Sequence, residues 1–207
     1  ATQGSQRRAG QGRQMARHPP RGRWGADGLG RTGKMFGQEH FGIAADMTCL
    51  AKGISNGMPM GALVARADLD FDANGRHSNT YGGNVLATTS ALATLDVLTG
   101  EKLVENSAKV GAHLHKRLRE LQEKHAVIGD VRGLGLMQAI EFVTDRRTKG
   151  IDTKLKDKVV DEATKRGLVL LQCGRSGIRC IPPLCITETE IDSGVDIIDA
   201  AISAAVR

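Results

Sequence analysis

The sequence predicts an α/β fold, and two observations carry that expectation. Short apolar runs alternate along the chain with longer segments whose apolar residues recur every three or four positions. Glycine-rich turns separate the two kinds of segment. Aromatic residues make up only 3% of the 207, so Ala, Leu, Val and Ile must supply most of the packing.

The elements follow in order. Residues 47–51 and 62–65 are short apolar stretches on either side of a glycine-rich loop, as expected for strands of a buried sheet. Residues 85–98, rich in Ala and Leu and bounded by Gly83 and Gly100, predict a buried helix. Val110, Leu114, Leu118 and Leu121 recur at steps of four and three, giving one apolar face to a charged helix. Residues 127–131 and 136–142 read as strands around Gly133 and Gly135. Residues 154–166 predict another amphipathic helix, and 168–171 and 178–181 two further strands. The last helix opens on a capping box, Thr187 with Glu190 three residues on, and its apolar face is Ile191, Val195, Ile198 and Ile202.

Residues 1–27 break this pattern. They contain no Leu, Ile, Val or Phe, cannot bury enough surface to offset ordering entropy, and are expected to be disordered. Residues 1–34 hold eight of the 29 Lys/Arg and one of the 23 Asp/Glu, so this first segment carries the basicity and the rest of the chain is close to neutral. Such an arm can neutralise nucleic-acid phosphates, or can be a tail without a partner. The abrupt change of composition favours a third reading, an out-of-frame or artificial junction. No apolar run approaches a membrane span and the first residues lack the apolar centre of a signal peptide, which predicts a cytoplasmic protein. Cys49, Cys173, Cys180 and Cys185 fit no zinc spacing and are expected to be buried thiols. His113 and His115, two apart on a helix, point in different directions, so no metal site is expected.

Residues 49–62, CLAKGISNGMPMGA, hold the most telling chemistry. Lys52 follows an apolar triplet and precedes Gly53, Gly57 and Gly61, which permit sharp turns and close approach to a ligand. Poor solvation at the end of a buried strand disfavours an ammonium, and a neutral amine can attack a carbonyl to form a Schiff base. Taken alone, the pattern also fits a solvated strand end. His77 lies in a turn and reads either as a neighbour of a ligand or as a solvent-facing side chain.

Five stretches at plausible spacing sharpen this: GLGRTGKMFGQEHFG (28–42), DMTCLAKGISNGMPMGALVAR (46–66), HSNTYGGN (77–84), GDVRGLGLM (129–137) and IRCIPPLCIT (178–187). Together they resemble the class III aminotransferases, the pyridoxal-phosphate enzymes that include 4-aminobutyrate and acetylornithine aminotransferases. The resemblance implies a partial fold-type-I pyridoxal-phosphate-dependent transferase. Residues 28–100 would be the C-terminal part of the large cofactor domain and 101–207 the small C-terminal α/β domain. It implies transfer of an amino group from an ω- or α-amino acid to a 2-oxo acid, with the 4-aminobutyrate branch nearest and acetylornithine-type enzymes next. It also implies a homodimer in the complete enzyme. The alternative from another class is a non-catalytic fragment with a basic arm.

By the same resemblance, Lys52 is the lysine that forms the internal aldimine with pyridoxal 5'-phosphate and then moves the substrate proton. Thr80 is the threonine that hydrogen-bonds the cofactor phosphate across the dimer interface. Arg179 is the arginine that grips a substrate carboxylate, for which a planar guanidinium fork is suited. One departure matters. Where the family has Asp-Glu-Val-Gln, whose aspartate pairs with the pyridine nitrogen, this chain has Arg23, Trp24, Gly25 and Ala26. The phosphate-cradling glycine loop and ring-stacking aromatic of the family are not found either, so this chain is expected to be inactive alone.

Overall fold

A computed structural model describes residues 21–23, 28–70 and 79–207, in two compact units, Ala1–Val104 and Glu105–Arg207. In the first unit, β1 (Arg21–Arg23) runs parallel to β2 (Met47–Leu50), which pairs antiparallel with β3 (Ala62–Ala65). A strand therefore forms within the arm expected to be disordered. Pairing uses only backbone N–H and C=O groups, so the lack of branched aliphatic residues does not forbid it. The rest of that arm lies outside the described residues, as does His77.

A tight 3-10 turn, Lys52–Ser55, links β2 to β3 and packs on helix α1 (Val85–Gly100). Asn84 caps α1, its Oδ1 accepting from the Ala87 amide at 3.0 Å. The expectation of a buried sheet and a buried helix fails here. Leu63 and Val64 of β3 are exposed, as are Val85, Leu86, Leu92 and Val97 of α1. Only Ala87, Ala91 and Leu98 of the helix are buried. Apolar text brings burial only where other chain covers it, and the described residues cover a single stripe of α1. Cys49 and Cys185 are likewise exposed, contrary to the buried-thiol reading.

The second unit is built on an antiparallel sheet of order β4-β5-β8-β7, formed by β4 (Ile128–Leu134), β5 (Met137–Asp145), β8 (Gly177–Cys180) and β7 (Leu171–Cys173). The short β6 (Gly150–Ile151) pairs with the end of β5. Helices α2 (Leu103–Lys124), α3 (Thr153–Lys165) and α4 (Glu188–Ala205) complete it. Strand β7 begins three residues later than the sequence suggests, because Leu168 and Leu170 pack against the core from a connector. The predicted helix faces hold: Val110, Leu114, Leu118 and Leu121 of α2 and Ile191, Val195, Ile198 and Ile202 of α4 are all buried. They meet Ile140 and Phe142 of β5 and Ile178 of β8, all fully buried. Each such side chain contributes about 1.5–3 kcal/mol by leaving water.

The β4–β5 turn is fastened to one stripe of α2. Ser107 Oγ accepts from the Leu136 amide at 3.3 Å, and His115 Nδ1 donates to Gln138 Oε1 at 3.0 Å. Between them, Gly111 sits so close to the turn that a Cβ there would lie 2.2 Å from the Gly135 carbonyl carbon. Arg146 closes the far end of α2, donating to the carbonyls of Gln122, His125 and Ile128. The Gln122 carbonyl is one of those that a helix C-terminus leaves unpaired, and the other two lie in the connection from α2 into β4.

A charged seam joins α2 to α4. Asp192 accepts from His113 Nε2 at 2.8 Å and from Arg117 Nη1 at 2.6 Å, and Asp199 accepts from Lys124 and His125. The His113 hydrogen bond, with Arg117 behind it, holds the Asp192 carboxyl below its ordinary range. At Asp199 partial burial pushes the other way, and the bonds from Lys124 and His125 outweigh it. Glu190 is also lowered, chiefly by the Thr187 amide of the capping box.

Two outcomes follow from this packing. Gly111→Ala gains helix propensity but must displace the turn, so the net change is a destabilisation of about 1–3 kcal/mol, read as a lower melting temperature. Depressed carboxylates stabilise the fold above their unfolded-state pKa and lose that contribution as pH falls through the folded value. Melting temperature should therefore drop from about pH 4 downward, and Asp192→Asn should flatten that drop.

Candidate active site

The Lys52 turn begins with a constraint. Lys52 has φ +59°, in the left-handed region that costs a residue with a Cβ about 1–2 kcal/mol, and Asn56 at the other end has φ +41°. The sequence assigned this turning to the glycines, of which Gly57 alone adopts a positive φ here. The Lys52 side chain is exposed, so the burial expected at a strand end is not met. The reason is local: one residue past β2 the chain turns outward, and the neighbouring Cys49, Ala51 and Gly53 are exposed as well.

Contacts hold the strained turn from below. Ile54 and Ser55 are buried, and the Ser55 hydroxyl donates to the Met58 carbonyl. The Ser55 carbonyl accepts from the Ser90 hydroxyl of α1 at 2.6 Å and from the Met58 amide at 3.3 Å. Sequence reading missed Ser90; the only available signal was a hydroxyl run, Thr88-Thr89-Ser90, inside an Ala/Leu helix.

Thr80 lies in the exposed turn that leads into α1. Asn84 secures that turn, donating through Nδ2 to the Tyr81 carbonyl at 3.0 Å. The two turns are thus tied to one helix at positions six residues apart, about 9 Å along its axis. The 28–42 stretch forms a compact loop, closed by a bridge between Gly28 and Phe36. Within it His40 Nε2 donates to the Thr32 carbonyl at 3.0 Å, and burial lowers the Arg31 guanidinium from its ordinary value.

Arg179 belongs to the second unit. Strand β8 lies between β5 and β7, so this is an interior strand and not an edge. Alternation turns Ile178 and Cys180 into the core, where burial pushes the Cys180 thiol up to about 12. Arg179 takes the opposite face, opposite Ala139 of β5 and Leu171 of β7. Two carboxylates share that face, Glu141 and the Asp130 paired with it across β4 and β5, and Arg132 holds both at 2.6 Å. Those two bonds, that to Asp130 first, raise the Arg132 guanidinium. Arg179 makes no ion pair among the described residues, and its Nε is buried without a hydrogen-bond partner.

Among the described residues, no group of three or more His, Cys, Asp or Glu is placed to hold a metal ion. No described helix is long and apolar enough to cross a membrane. His113 and His115 face different partners, Asp192 and Gln138.

Residues 26–202 match the family Aminotransferase class-III, and the chain belongs to that family of pyridoxal-phosphate enzymes. It is 38% identical over 176 residues to an acetylornithine aminotransferase of Caldanaerobacter subterraneus, covering 85% of this chain and 42% of that protein. It is 39% identical over 181 residues to the 4-aminobutyrate aminotransferase GabT of Escherichia coli, covering 86% and 42% respectively. The fold is that of an amine transaminase from an uncultivated Pseudomonas species, solved in its PLP-bound internal aldimine form. The TM-score is 0.90 at 33% identity, over 98% of this chain and 48% of that one. The chain thus spans less than half the length of these proteins.

Proposed function

We propose that this chain carries the lysine-bearing and carboxylate-binding parts of a pyridoxal-phosphate aminotransferase that moves an amino group from an ω- or α-amino acid to a 2-oxo acid. Similarity to the acetylornithine and 4-aminobutyrate enzymes is nearly equal, and IRCIPPLCIT with the Lys52 loop favours the 4-aminobutyrate branch. Arg179 is the observation that carries the reading. A buried guanidinium nitrogen without a partner is costly, and a substrate carboxylate is the partner its geometry suits.

The residues fit the cofactor in part. Lys52 offers an exposed primary amine on a preorganised turn, and Thr80 a hydroxyl at an exposed turn beside a helix start. Bound pyridoxal phosphate supplies an electron-withdrawing ring next to the substrate's amino-bearing carbon. Lys52 Nζ would hold the cofactor and, once displaced by substrate, would take the proton from that carbon and pass it to the cofactor's C4′. Arg179 orients the substrate through its carboxylate. Thr80 would donate its hydroxyl to the cofactor phosphate, which in a homodimer would be that of the neighbouring subunit. Position 23 does not fit: an arginine stands where the ring nitrogen needs a carboxylate. The exposed apolar faces of α1 and β3 suit a chain that is covered further in a longer protein.

Three measurements test this. Treated with pyridoxal phosphate and borohydride, the chain should carry the pyridoxyl group mainly on Lys52 by mass spectrometry; even labelling over surface lysines would remove the assignment. Titration with 2-oxoglutarate should shift the Arg179 Nε–H resonance, with no comparable signal shift in Arg179→Lys. The chain alone, with excess cofactor, should show no measurable turnover of 4-aminobutyrate or alanine with 2-oxoglutarate. Arg23 gives the ring nitrogen no counter-charge and exposed Lys52 leaves water at the reacting amine.

A further inference from the structure

Left-handed backbone at a lysine persists only where surrounding contacts over-determine it. At Lys52 the contacts come from the residues just after it. Ile54 and Ser55 are pinned beneath the turn, and their support is α1, where Ala87 and Ala91 are buried. Small side chains let a turn approach a helix closely, but they do not fix its rotation or register. One directional bond does so: the Ser90 hydroxyl donates to the Ser55 carbonyl at 2.6 Å, across 35 residues of sequence. That carbonyl also receives the Met58 amide, and the Asn56 amide closes on Gly53 at 3.3 Å, so the whole turn from Lys52 to Met58 hangs on this point. Ser90 is itself half-buried and lies within helical backbone, where Thr94 Oγ1 donates to its carbonyl at 2.8 Å. Its hydroxyl is therefore presented from a rigid element rather than from a loop.

We infer that Ser90 is a positioning residue for Lys52: its hydroxyl holds the Ser55 carbonyl so that the turn keeps Lys52 in the left-handed conformation and aims Nζ for attachment of pyridoxal phosphate. This rests on the reading of Lys52 as the cofactor-bearing lysine. Removal of the hydroxyl leaves α1 intact, since alanine is the better helix former. It frees the turn to relax toward backbone that costs Lys52 less, with Nζ displaced from its aim.

The test compares the parent chain with Ser90→Ala and Ser90→Thr by two readouts. The first is hydrogen exchange over residues 53–58. The second is the share of pyridoxyl label that Lys52 takes, relative to all other lysines, after brief exposure to pyridoxal phosphate. The amine condenses with the aldehyde, releasing water, and borohydride hydride then reduces the C=N bond to a stable amine. In Ser90→Ala, exchange over 53–58 should rise about fivefold and the Lys52 share should fall about threefold, with melting temperature essentially unchanged. Ser90→Thr, which keeps a hydroxyl, should restore both. Unchanged exchange, or an unchanged Lys52 share in a parent that favours Lys52, overturns the role of Ser90 alone. A parent without preference for Lys52 overturns the functional reading and, with it, any role of Ser90 toward that lysine.

Discussion

Alternation along β5 is the constraint on which the second unit depends. Gln138, Ile140 and Phe142 face inward, so the three helices have a surface to cover, and Ala139 and Glu141 face the other way. Pairing carries the same division into β8, where Ile178 joins the core opposite Ile140 and Arg179 is set opposite Ala139. A slip of one residue would put the guanidinium among Leu118 and Phe142 and expel Ile178. The close approach of α2 at Gly111 and the bonds from Ser107 and His115 hold the turn from which β5 starts.

The chemistry of Arg179 follows from that frame. An arginine on a sheet face ordinarily finds a carboxylate, and Glu141 is the one its own strand pairing offers. Arg132, on the far side of β5, takes Glu141 and Asp130 together. The result is a guanidinium with one nitrogen buried and unpaired, held by an interior strand. The first unit reaches a comparable state by backbone strain: Lys52 is held in a conformation it would not choose, by contacts made two and three residues further on.

Much of this was legible in the sequence. The faces of α2 and α4, the Thr187–Glu190 capping box and the strands around the Lys52 loop are local patterns with periods of 3.6 or 2, and local patterns survive tertiary packing. Burial was read less well. Val64, Leu92 and Cys49 are apolar yet exposed, because burial depends on what covers a residue and not on its type. The strand at Arg21–Arg23 escaped notice because backbone pairing needs no apolar side chain.

The sequence by itself determined most of the elements and, through the resemblance to the class III aminotransferases, the candidates Lys52, Thr80 and Arg179. The elements rest on residue type and spacing within short windows, and the candidates on the resemblance carried by the five stretches between residues 28 and 187. Only the tertiary structure decided the unpaired Arg179 nitrogen, the exposure of Lys52 and the bond from Ser90 to Ser55. The unpaired nitrogen and the Ser90 bond depend on which groups are brought together from distant positions, such as Arg132 with Glu141 or Ser55 with a helix 35 residues on. Such pairings arise from register and packing, and no local period encodes them.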